Sequence, residues 1–124
     1  MSEPASPSPQ ISVVIPAYNE EGGIHETITR LAVALEAEGL SFQIICSNNC
    51  SRDRTVSIVE AIAVRDPRIL LVHTPPLQGY GVAVRTGLHY VTGETVVIYM
   101  ADGSDAPEDV IAYYRTISNG NYEC

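Results

Sequence analysis

Basic residues are scarce in this chain. Its 124 residues hold seven Lys and Arg against fifteen Asp and Glu, for a formal net charge of −8. Sequence-independent nucleic-acid binding needs a basic surface, so this balance argues against that class of partner. It leaves room for a phosphorylated small ligand, because one phosphate site needs only local donors and a metal. No apolar run approaches the roughly 20 residues that span a bilayer. The N-terminus lacks the basic-then-apolar pattern of a signal segment. Both absences point to a soluble, cytoplasmic chain. The three cysteines, Cys46, Cys50 and Cys124, have no metal-site spacing and no His-x-Cys cluster beside them. They are expected as reduced thiols rather than as zinc ligands or a disulfide. There is no internal repeat. Low complexity is confined to Met1–Gln10, where Pro4, Pro7 and Pro9 stand among Ser and Ala, and this stretch is expected to be a disordered leader.

What remains is ordinary for a globular domain, with 45% hydrophobic and 18% charged residues. Residues 11–124 are expected to form a single domain. Ile11–Pro16 is a near-continuous apolar run, the pattern of a parallel strand buried on both faces. Ile24, Ile28, Leu31, Ala32 and Leu35 fall at helical spacing, and Gly39 stops that helix. Phe42–Cys46 is a second strand. Asp53 is placed to cap a second helix with Val56, Val59, Ile62 and Ala63 turned inward, closed by Pro67. Arg68–His73 is a third strand, Gly81–Val91 a third helix and Thr95–Met100 a fourth strand. Pro107 then opens a helix whose apolar face is Val110, Ile111, Tyr114 and Ile117. Strict β-α alternation predicts an α/β fold: a mainly parallel sheet with helices on both faces.

In such a sheet, ligands bind outside the carboxyl ends of the strands. Four loops gather there, and each admits two readings. After strand one, Tyr18 can lay a ring against a base, while Asn19 and Glu20 either bond a base or ribose or simply cap helix one. After strand two comes Ser47-Asn48-Asn49-Cys50-Ser51-Arg52-Asp53. Its asparagines either read a base edge without adding charge or serve a turn and a helix cap. After strand three, Gly79 and Gly81 permit tight turns and close backbone approach at a helix start, where Arg85 either meets a phosphate or stays solvated. This loop is not a dinucleotide fingerprint, which should follow the first strand. After strand four, Asp102, Ser104 and Asp105 either bind Mg²⁺ or Mn²⁺ with phosphate oxygens or form an acidic turn in which Asp105 bonds backbone N–H groups. His25, His73 and His89 are scattered, and Tyr113-Tyr114 suits packing better than ligand binding.

Taken together, VVIPAYNEE, SNNCSRDRT, GYGVAVRTG and MADGSDAPED resemble, in order, the nucleotide-binding half of a family-2 glycosyltransferase. Polyprenyl- and dolichol-phosphate sugar transferases look nearest. The resemblance runs from Ile11 to about Cys124. It implies a GT-A fold and inverting transfer of a sugar from a nucleoside diphosphate sugar, with a lipid phosphate as one class of acceptor. It further implies that Pro16, Ala17, Tyr18 and Glu20 line the nucleoside site and that Asn48 stands where an Asp commonly reads the base. Gly81, Arg85 and Ala101 join the expected donor-binding set. Asp102 stands at the second carboxylate of the Asp-x-Asp metal motif, followed by Ser104 and Asp105. Two positions depart from the pattern: the usual Asp-Asp after strand two is Asn48-Asn49, and the first metal-motif Asp is Met100. The acceptor-binding half and any catalytic base would lie beyond Cys124, so the domain looks incomplete. Membrane association would follow only as part of a longer protein. The rival expectation is a nucleotide-binding module or partner subunit without activity. An NAD-binding domain is disfavoured by the missing glycine fingerprint.

Overall fold

Strand β1 (Ile11–Ala17) carries the fold: every residue of it except Pro16 is buried. In a computed structural model, residues 8–118 are described, in the order β1, α1 (Ile24–Ala37), β2 (Phe42–Asn48), α2 (Thr55–Arg65), β3 (Ile69–His73), α3 (Tyr80–Leu88), β4 (Thr95–Ile98) and α4 (Pro107–Ser118). All pairings are parallel, and the strand order is β3-β2-β1-β4. The expected α/β architecture is therefore present.

The two faces of the sheet differ in depth. On one, Ile11, Val13, Ile15 and Ala17 of β1 pack with Ile44 and Cys46 of β2 against α1, α2 and α4. The α1 stripe is the one foreseen, with Ile24, Ile28, Leu31 and Leu35 wholly buried. On the other face Val14, Ile45 and Val72 form a smaller cluster, and α3 packs against β1 and β2 there. Gly87 makes that contact possible, since a Cβ on it would lie 2.4 Å from Val14 Cγ1. Burial pushes the Cys46 thiol up to about 12, which keeps it inert.

Several boundaries differ from expectation for identifiable reasons. Gly39 stops α1 as foreseen, at φ +72°. In α2, buried Thr55 takes the inward place of the first turn, so the stripe continues through Ile58, Val59, Ile62 and Ala63. Val56 stands one residue off it and is only half-buried. α3 ends at Leu88 rather than Val91. Beyond it the N–H groups of His89, Tyr90 and Val91 each bond the carbonyl three residues back, a tightening common at helix ends. β4 pairs only to Ile98, with one further bond from Tyr99 N–H to the Val14 carbonyl at 2.9 Å. β2 runs on to Asn48, two residues past the expected end. Of the expected leader, residues 1–7 lie outside the described residues, and its last two are tied to the sheet. The Pro9 carbonyl accepts Glu94 N–H, and Gln10 N–H bonds the Ser41 carbonyl. Among the described residues, no helix is long and apolar enough to cross a membrane.

Candidate ligand site

The chain winds from β1 outward to β3, then returns to place β4 on the opposite side of β1. The strand order thus reverses beside β1; the loops leaving β1 and β4 lead to α1 and α4 on one face while α3 lies on the other, and ligands bind in open α/β sheets at the carboxyl ends beside such a reversal. A cleft of about 210 Å³ lies there. The β1 loop contributes Pro16, Ala17, Tyr18 and Glu20, the β4 loop Met100, Ala101 and Asp102, the β2 loop Asn49, and the start of α3 Gln78, Gly79, Tyr80 and Ala83.

The first two loops are stitched together by polar side chains. Asn19 sits at φ +51°, and its Oδ1 accepts Arg52 N–H at 2.8 Å, while its own N–H donates to Ser51 Oγ at 3.0 Å. Glu20 N–H donates to Thr55 Oγ1 at 2.8 Å, Glu21 N–H to Asp53 Oδ2 at 3.1 Å, and Arg54 N–H to Glu21 Oε1 at 2.9 Å. Asn19 is thus absorbed in holding loops. Neither it nor Glu20 caps α1, whose N-cap is Gly23 with no side-chain cap bond. Asp53 Oδ1 accepts the N–H of Thr55 within the first turn of α2, a local turn bond rather than the N-cap expected of it. Partial desolvation works to raise the Asp53 carboxyl, but bonds from the Thr55 hydroxyl and from the Thr55 and Glu21 N–H groups hold it below the ordinary range.

The expected site residues divide into two groups. Pro16, Ala17, Tyr18, Glu20, Ala101 and Asp102 line the cleft. Asn48, Gly81, Arg85, Ser104 and Asp105 do not. Asn48 is buried, its Oδ1 accepts Ser51 N–H at 3.2 Å, and its Nδ2 lies 3.2 Å from His73 Nδ1. Arg85 folds back along α3, so that a Cβ on Gly81 would lie 3.2 Å from its Nη1. It lines a separate groove with His73, Pro75, Thr86, His89 and Tyr90. Asp105 turns its carboxylate onto its own loop, Oδ2 accepting Met100 N–H at 2.9 Å. Asn49, Gln78, Gly79, Tyr80, Ala83 and Met100 line the cleft but were not in the expected set. For the α3 residues the signal was present, since an aromatic between two glycines at a helix start is positioned rather than buried.

Two carboxylates face the cleft, Glu20 and Asp102. Burial first, then the charges of Asp102 and Asp53, raise the Glu20 carboxyl above its ordinary value. Asp102 moves the other way, because hydrogen bonds from Ser104, hydroxyl and N–H, hold it below the ordinary range. Its Oδ1 accepts the Ser104 N–H at 2.9 Å in a turn that Gly103 closes at φ +82°. Asp102 is exposed and anionic. Among the described residues no three His, Cys, Asp or Glu side chains cluster as a metal cage. A hard cation here would need oxygen ligands brought by the bound molecule, and a diphosphate supplies them.

The family described as "Glycosyl transferase family 2" has a model that matches residues 12–124. The uncharacterized glycosyltransferase YkcC of Bacillus subtilis is 32% identical over 102 residues, 82% of this chain and 32% of that protein. A dolichyl-phosphate beta-glucosyltransferase of Trichomonas vaginalis is 34% identical over 80% of this chain and 32% of its own length. Among solved structures, the mannosyltransferase PcManGT of Pyrobaculum calidifontis, in complex with GDP-Man and Mn²⁺, aligns with a TM-score of 0.67 at 29% identity, covering 78% of this chain and 28% of that one. The chain spans about a third of the length of the curated relatives it matches. With the parallel sheet, the switch-point cleft and the four loop motifs all in register with that match, the chain belongs to glycosyl transferase family 2.

Proposed function

We propose that the chain binds a nucleoside diphosphate sugar at the carboxyl edge of its sheet and supplies the donor site of an inverting glycosyltransferase. The observation that carries this is the composition of the cleft. Two exposed tyrosines, Tyr18 and Tyr80, lie on its rim, and Asp102 stands at its β4 side. Aromatic faces suit a nucleobase, and an exposed anionic carboxylate suits a cation that carries phosphates. Asp102 would hold Mg²⁺ or Mn²⁺ together with the diphosphate oxygens, and Glu20 adds negative potential from the same cleft. The cation, when bound, neutralises charge on the departing nucleoside diphosphate. Ser104 keeps Asp102 ionised and orients it. Met100, in place of a carboxylate, lines the cleft with an apolar side chain that cannot hold a hard cation. The likeness to PcManGT, solved with GDP-Man and Mn²⁺, supports a nucleotide sugar and a divalent cation as ligands. The dolichyl-phosphate glucosyltransferase relative supports a lipid phosphate as acceptor, and with it membrane association of the whole enzyme.

Calorimetric titration with UDP-, GDP- and TDP-linked sugars, with and without Mn²⁺ or Mg²⁺, tests the proposal. Metal-dependent binding, lost in Asp102→Ala, is the expected result. Absence of binding by all three donors under both conditions overturns it. Binding without transfer to a polyprenyl phosphate would favour the rival reading, a donor-binding module that works beside another subunit. That rival has one observation in its favour, since among the described residues only two carboxylates line the cleft.

A further inference from the structure

Asn49 is 3% exposed, and every polar atom of its side chain has a partner on the segment between β3 and α3. Its Oδ1 accepts Gly79 N–H at 2.7 Å, and its Nδ2 donates to Thr74 Oγ1 at 2.8 Å and to the Leu77 carbonyl at 3.0 Å. Its own N–H reaches the Ala17 carbonyl at 2.9 Å. Gly79 lies at φ +154°, and its carbonyl accepts Ala83 N–H in the first turn of α3. Gly79 is the N-cap and has no side chain, and the Asn49 amide bonds its N–H, the group an N3 side chain takes in a capping box, so it helps fix where α3 begins. Gln78, Gly79 and Tyr80 form one wall of the cleft, and Ala17 and Tyr18 belong to another. Asn49 touches both.

We propose that Asn49 is a positioning residue for the cleft's ligand: it holds the Gln78–Tyr80 wall in place against the Ala17–Tyr18 wall. This rests on the nucleotide-sugar reading above. The amide is required, because the Leu77 carbonyl needs a donor. A carboxylate at this position would still accept the Gly79 N–H but would set oxygen against oxygen at Leu77.

The test compares Asn49→Ala, Asn49→Asp and, as a control that weakens the core away from the cleft, Val59→Ala. Three quantities are read: hydrogen-exchange protection of the Gly79 amide in the ligand-free chain, affinity for UDP and GDP with Mn²⁺, and the melting temperature. Asn49→Ala is expected to lower Gly79 protection and nucleotide affinity each by about tenfold, a factor that corresponds to losing one to two net hydrogen bonds. Asn49→Asp should fall between it and the wild type. Val59→Ala should melt earlier while its affinity stays within about twofold, since the hydrophobic loss lies on α2. An affinity loss in Asn49→Ala no greater than in Val59→Ala overturns the positioning role, as does unchanged Gly79 protection. A wild-type chain that binds neither nucleotide overturns the nucleotide-sugar reading instead, so the two failures are distinct.

Discussion

At the amino edge of the sheet the polar side chains are tied to one another and to nearby backbone; at the carboxyl edge some tie the loops together while others stand over a cleft. The amino edge is closed by Arg68, which pairs with Asp66 and with Glu36, each at 2.9 Å, and lies over the Phe42 ring at 4.4 Å. Beside it, Gln10 Oε1 accepts Ser41 N–H at 2.9 Å, and Gln43 Oε1 accepts Thr92 N–H at 2.8 Å. At the carboxyl edge Asn19, Asn49 and Asp53 take backbone N–H groups of neighbouring loops, and Asp105 takes one of its own loop. Tyr18, Glu20, Gln78, Tyr80 and Asp102 stand over the cleft these loops enclose. One edge is closed upon itself. The other is a frame around unfilled bonding capacity, the arrangement expected where loops carry function on a rigid scaffold.

The sharpest way to break the comparison is to remove one side chain from each edge. Asp102→Ala should weaken metal-dependent donor binding by about 100-fold while thermal stability barely moves. Its bonds from Ser104 close an exposed turn. Arg68→Ala should do the reverse. It loses ion pairs that are partly exposed and therefore modest, together with the contact over Phe42, for about 1 kcal/mol of stability. Its donor affinity should equal that of the wild type. If Arg68→Ala weakens binding, or Asp102→Ala lowers the denaturant midpoint as much as Arg68→Ala, the division between the edges fails.

A smaller effect of opposite sign is expected at Cys50, in the β2 loop. Cys50 lies at φ +63°, a left-handed conformation that costs a side-chain-bearing residue about 1 kcal/mol. Its thiol approaches only the Pro75 carbonyl and the Asn49 amide, both at 4.0 Å. Cys50→Gly should therefore stabilise the chain by about 0.5–1 kcal/mol in urea unfolding. A loss of stability would mean that the thiol contacts outweigh the backbone strain.

Most of the fold was legible because period is a strong signal. The α1 stripe and the β1 run needed no partner to be recognised, and β-α alternation carried the parallel sheet. The cleft was legible only to the level of loops. A polar side chain at a strand end bonds a ligand or a neighbouring loop equally well, and the partner that decides lies far off in sequence. Asn19 finds Arg52, Asn49 finds Gly79, and Asn48 finds His73. The bond of Asp105 was hidden for a different reason. Its partner, Met100 N–H, is close in sequence, but the bond depends on the chain turning back at Gly103. The direction of Arg85 was not legible either, because a long side chain on a helix reaches a full turn backward, here to Gly81.

The finest probe of the carboxyl edge is the pH dependence of Glu20. Burial, then Asp102 and Asp53, raise its carboxyl in the folded chain above the ordinary value of 4.5. The folded state then binds the proton more tightly than the unfolded state. Its favourable contribution is full below the unfolded value and is lost as pH rises through the folded value. At neutral pH the ionised Glu20 sits against like charge and opposes folding. Glu20→Gln should therefore stabilise the ligand-free chain by about 0.3 kcal/mol at pH 7, the size typical of a partly exposed charge interaction. The gain should vanish near pH 3.5, where Glu20 is protonated in both states. Urea midpoints of both proteins at the two pH values measure this. Adding Mn²⁺ with a nucleoside diphosphate should cancel the advantage at pH 7, because the cation converts the repelling pair into a stabilised one. A gain that is equal at both pH values would trace to packing rather than charge, and would remove Glu20 from the electrostatics of the cleft.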